Sequence, residues 1–137
     1  MTIAHANTNA YEGGSLEGIG KNSLSLKGVN FVTRTAGVVD KSTSETVVDG
    51  VNYTVADYAA DNQTVDKKTV SYAPASLLRE YEVTISGGTV TVADEDKYFK
   101  LSDSVTVDGT TGSASTGQLK LVKFISATKG VFTIANV

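Results

Sequence analysis

Apolar and hydroxyl side chains alternate along this chain in short runs, and glycines or Asp-Gly pairs interrupt the runs roughly every ten residues. A period of two puts alternate side chains on opposite faces of an extended strand, which no helix can do. The residue types agree. There are 18 Val and 18 Thr but only 8 Leu, and β-branched side chains, stiff at χ1, fit a pleated and half-buried surface. Thirteen glycines and a single proline suit many tight turns. The chain is therefore expected to be all-β, with at most one short helix. The spacing predicts an antiparallel sandwich or small barrel of roughly eight to ten strands.

Individual runs set the expected registers. LSLKGVNFVTRT, residues 24–35, reads as two strands or one long bent strand, broken or bulged at Gly28. In ETVVDGVNYTVAD, residues 45–57, Asp49-Gly50 is a two-residue turn signal. It sets Val48 opposite Val51 and puts Thr46 and Tyr53 on one face. Residues 58–70 are polar and ambiguous. SYAPASLLREYE, residues 71–82, is the helical candidate, with Pro74 at a first helical position and Leu77, Leu78 and Tyr81 sharing a face. VTISGGTVTVA, residues 83–93, reads as a hairpin about Gly87-Gly88. Val83, Ile85, Val90 and Val92 fall on its buried face, and Thr84 and Thr91 on its exposed face. KYFKLS and SVTVDG are short strands with Asp103 near the turn between them, and residues 108–117 form a loop of small residues. QLKLVKFI and GVFTIANV close the chain as a pair joined by SATKG. The apolar phase shifts between Leu121 and Val122, which marks a bulge or burial on both faces.

Residues 1–23 follow no such period. Gly13, Gly14, Gly18 and Gly20 and many small polar residues surround Ile3, Tyr11, Leu16 and Ile19. This composition favours an extended N-terminal arm over residues 1–23, ahead of a single β-domain over residues 24–137. Spaced apolar residues on such an arm suit partner binding: Ile3, Tyr11, Leu16 and Ile19 can fill separate pockets or add a strand to a sheet edge. A chain of this length buries about two-thirds of its unfolded surface, enough for a real core.

Groups that do chemistry are scarce. The chain has no cysteine, so it has no disulfide framework, thiolate metal site or cysteine nucleophile. Its one histidine, His5, lies in the glycine-rich arm, where no rigid shell is expected to hold a general base. A Ser-His-Asp unit is excluded with it. The acids of ADEDK, Asp94, Glu95 and Asp96, lack the twelve-residue calcium-loop pattern and read as a solvated turn. Gly20-Lys21 is followed by Asn22, where a phosphate loop needs Ser or Thr. The absence of Trp removes the usual sugar platform, and the six Tyr are scattered. A net charge of −3, with Lys67-Lys68 the only basic pair, leaves no electrostatic footprint for nucleic acid. No run approaches the ~20 apolar residues of a membrane span. The opening MTIAHANTNAYEGG lacks the basic start and apolar stretch of a secretion signal, so cytoplasmic synthesis without a signal peptide is expected. These readings predict no enzyme activity, no cofactor, no metal, no nucleic acid and no membrane.

The closing stretch YFKLSDSVTVDGTTGSASTGQLKLVKFISATKGVFTIANV resembles the small β-rich capsid decoration, or cement, proteins of tailed bacteriophages. The likeness extends in texture over residues 81–137, and in kind to the arm. It implies a structural virion protein that binds the outside of an assembled capsid and stabilises it. Its partners would be the major capsid protein and neighbouring copies of itself, as a homo-oligomer on the capsid surface. Two other readings stay open: another phage structural protein, such as a tail tube or head fibre, or a receptor- or glycan-binding β-module.

Overall fold

The computed structural model describes residues 3–7, 16–21, 24–26, 28–53, 56–57 and 69–137. Among these residues the fold is all-β, and helical turns are limited to two 3-10 turns, Val92–Asp94 and Gly109–Thr111. In chain order the strands are β1 (Ile3–Asn7), β2 (Leu16–Gly20), β3 (Ser25–Leu26), β4 (Phe31–Thr35), β5 (Val38–Lys41), β6 (Gly50–Asn52) and β7 (Ala56–Asp57). They continue with β8 (Thr69–Pro74), β9 (Glu80–Ser86), β10 (Tyr98–Phe99), β11 (Thr106–Asp108), β12 (Leu119–Ser126) and β13 (Lys129–Ile134).

Two bodies of sheet share the chain. β2, β5, β4, β6 and β8 close into a barrel in that order. β1, β9, β13, β12 and β10 form an open sheet, with β11 also paired to β9, and β3 pairs with β7. Among the described residues pairing is antiparallel except for β2–β5 and β9–β11. The barrel interior holds Val32, Val39, Val70 and Tyr72, capped by Leu24 and Leu26. Strand alternation turns Phe31 the other way from Val32, so Phe31 joins Val48 and Val51 in the core of the open sheet. There it meets Tyr81 of β9 edge-on, with ring centroids 6.0 Å apart. The two bodies are thus joined through one apolar core.

Side-chain amides, three of them buried (Asn30, Asn52 and Gln118), fasten that joint. Ser104 donates to Asn30 at 2.7 Å, and the Asn30 and Asn52 side chains both donate to the Gly28 carbonyl. Gln118 accepts from the Leu101 N–H at 2.8 Å and donates to the carbonyls of Thr43 and Thr46. Asn136 pairs with both backbone groups of Val48, at 2.9 Å each, as a strand would. Apart from the Asn30 bond to nearby Gly28, these bonds reach segments distant in sequence, and they spare the buried amides a desolvation cost.

Several local expectations give way to this long-range order. Asp49-Gly50 is not a turn. The Asp49 carboxylate accepts from the Arg34 N–H at 2.7 Å, and Gly50 begins β6 between β4 and β8. A Cβ at Gly50 would lie 2.1 Å from the Ala73 carbonyl oxygen, so close strand approach explains this glycine. Thr46 sits in its own turn with Thr43 rather than on a strand beside Tyr53. The helical candidate is a strand, a turn and a strand, with Pro74 ending β8 and Tyr81 buried in β9.

The Gly87-Gly88 hairpin is also absent. Ile85 and Val90 do not pair. Their N–H groups donate to the carbonyls of Thr128 and Ala127, so both limbs turn toward the β12–β13 loop. Val83, Ile85 and Val90 are buried as expected, and Thr91 is exposed, but Thr84 is only half-exposed and Val92 is 65% exposed. Beyond the glycines, Thr91 and Asp94 form a capping pair: the Asp94 carboxylate accepts from the Thr91 N–H at 2.8 Å. That pair starts the 3-10 turn where the second hairpin strand was expected. By contrast, β12 and β13 do form the closing hairpin, with a register shift between Leu121 and Lys123. Asp103 holds the turn before β11 by accepting from the N–H groups of Val105 and Thr106.

Candidate interaction surface

The expected arm residues fall into different settings. Ile3 lies on β1, opposite Val83 of β9. Tyr11 lies outside the described residues. Leu16 and Ile19 lie on β2, which is built into the barrel wall between β5 and β8. Residues 3–7 and 16–20 are extended, as expected of an arm, but both pieces pair with strands of their own chain. The reason is backbone: β8 and β9 each offer a ladder edge that β2 and β1 complete. Leu16 is 48% exposed and Ile19 37% exposed. Ile19 shares the outer face of β2 with Glu17, whereas Leu16 stands at the end of the strand on the other side. Beside them, Arg34, Gly37 and Thr69 help line an open groove of about 290 Å³.

A second apolar set was not foreseen. Val47 is 57% exposed, Leu77 67%, Leu78 55% and Val137 57%. Hydrogen bonds bring their segments together. Val48 pairs with Asn136, the Ala75 N–H donates to the Asp49 carbonyl, and Thr133 donates to the Ser76 carbonyl at 3.1 Å. Leu77 and Leu78 form the tip of the β8–β9 turn, held by the Leu78 N–H on the Ser76 hydroxyl. The sequence signal was present as Leu-Leu directly after Pro-Ala-Ser, but a helical period hid it.

Several charged and hydroxyl groups bond within the fold. Asp94 is held below the usual carboxylate range, first by the Thr91 N–H and then by Lys97, its partner at 2.9 Å. Asp108 is lowered by the hydroxyl and N–H of Thr110. Glu95 accepts from the Phe124 N–H at 2.7 Å. Ser86, Ser102 and Thr106 bond among themselves beside Asp103. Burial pushes the Tyr81 hydroxyl up to about 12 despite nearby Arg79. His5 lies in β1 opposite Tyr81. Among the described residues no group of three metal-ligating side chains converges. Comparison with protein-family models, curated proteins and solved structures finds no match.

Proposed function

We propose that this chain is a structural binding module that attaches to the outside of an assembled phage capsid and stabilises it. The observation carrying the reading is the set of large apolar side chains, Leu77 and Leu78 above all, held in water on a hydrogen-bonded turn of a rigid β-body. Single exposed apolar residues are ordinary, but four drawn to one region by long-range bonds suit a contact surface. The resemblance of residues 81–137 to decoration proteins supplies the partner: the major capsid protein, with neighbouring copies alongside. Many copies on one shell raise each other's effective concentration, so a small patch per copy suffices. Leu16 and Ile19 on β2 offer a second contact.

The test is co-sedimentation with purified phage heads that lack the chain. The wild-type protein pellets with the heads, and Leu77→Ser/Leu78→Ser stays in the supernatant while keeping its β-type circular dichroism. Equal pelleting of the double variant would overturn the role of this turn. Failure of the wild-type protein to pellet would favour the tail, fibre or glycan-binding readings.

A further inference from the structure

We infer that β1 is an exchangeable strand, and that in assemblies the Ile3–Asn7 segment of one copy occupies β9 of a neighbouring copy. Among the described residues β1 stands at the end of the open sheet and pairs with β9 alone. Its ladder is short, running from Ile3 opposite Val83 to Asn7 opposite Glu80, with an irregularity after His5.

The seat, by contrast, is built by other strands. β13 holds the opposite edge of β9 from Tyr81 to Thr84. β11 holds the continuation of β1's own edge, from Thr84 to Ser86, in parallel. β9 is therefore fixed on both sides whichever copy supplies β1. Without a β1 the backbone groups of Glu80–Val83 would stand unpaired beside a formed strand, an edge that accepts any matching segment. The matching segment present at highest abundance is the same strand of another copy.

The connection permits it. Residues 8–15, TNAYEGGS, join β1 to the barrel strand β2. A stretch of eight residues can span at most ~29 Å. Exchange of an identical element needs no new interface chemistry, because each copy gains the contacts it gave up. Reciprocal exchange gives a closed dimer. One-way exchange gives a ring or a run of copies. The inference goes beyond capsid attachment, since it concerns contacts between copies and can fail or hold independently.

The cysteine-free chain makes the test direct. Ala4 and Glu82 are paired in register, as are Asn7 and Glu80, and paired strand residues lie within disulfide reach. Full-length Ala4→Cys and full-length Glu82→Cys are mixed at high concentration, incubated and oxidised. Exchange predicts a covalent heterodimer, several-fold above the yield from Ala4→Cys mixed with a cysteine at the exposed Ala114. It also predicts that the double variant, oxidised when dilute, is locked as a monomer that no longer associates, and regains association on reduction. The Asn7→Cys and Glu80→Cys pair repeats the test should either first position disturb folding. Heterodimer no more abundant than the Ala114 control, from both register pairs, overturns the inference. So does unimpaired association by the locked monomer.

Discussion

Replacing Phe31 with Ala tests whether the barrel and the open sheet are one cooperative unit. Phe31 is fully buried and belongs to the barrel by backbone but to the open sheet by side chain. Loss of a buried Phe ring to Ala typically costs about 3–5 kcal/mol, transfer and cavity together. The edge-on contact with Tyr81, at 83° between ring planes, contributes about 0.5–1.5 kcal/mol within that total. Domains of this kind hold about 5–15 kcal/mol in all, so the variant should keep only part of its stability. The melting temperature should fall by roughly 10–20 °C. Urea unfolding is followed by circular dichroism and by tyrosine fluorescence, since the chain has no Trp. A shared core predicts one transition, with both probes shifted together. A loss below about 1 kcal/mol, or two separate transitions of which only one moves, would refute the shared-core reasoning.

Gly50→Ala places a methyl group against the Ala73 backbone and the Tyr72 ring, which cannot yield without moving β8. It should cost about 1–3 kcal/mol or more in the same urea assay, whereas Gly28→Ala, with open space around it, should not. Tyr81 gives a pH dependence. Its folded pKa, about 12, lies above the ordinary tyrosine value of 10.0, so between these values the unfolded chain loses a proton that the folded chain keeps. Stability is therefore present below pH 10 and falls as pH rises from 10 toward 12, and Tyr81→Phe should flatten that part of the curve. Asp94 acts at the other end. Its lowered pKa means its contribution is present above the ordinary carboxylate range and is lost as pH falls through the folded value, which an Asp94→Asn comparison by chemical denaturation would reveal.

The fold class was legible because it depends on a repeated pattern. Alternation and β-branched composition act in every run, so no single exception changes the result. The bulge after Leu121 was visible for the same reason: a phase shift in a buried strand has few explanations. Turn signals fared worse. Asp49-Gly50 and Gly87-Gly88 carry the chemistry of two-residue turns, yet their neighbours find better partners far along the chain, at Arg34, Ala127 and Thr128. At Gly88 the glycine serves close approach to Gly109, where a Cβ would lie 3.1 Å from backbone. Leu77 and Leu78 looked like a helix face because leucine spacing says nothing about whether a turn tip is covered. Gln118 and Asn136 carried no local signal, since each acts on residues that only the folded topology brings near. Ile3, Leu16 and Ile19 were singled out for composition, and that same extended, glycine-rich composition lets their segments complete β-ladders at home.

The most direct measurement of the proposed role is an electron cryo-microscopy map of intact particles of the phage to which that role assigns this chain, taken to a resolution that separates strands. The account predicts a closed five-stranded barrel joined to an open sheet on the outer face of the capsid shell, repeated with the capsid symmetry. The Leu77-Leu78 turn should face the major capsid protein. A shell with no such density, or the same β-body found in the tail or at fibre tips instead, would contradict it.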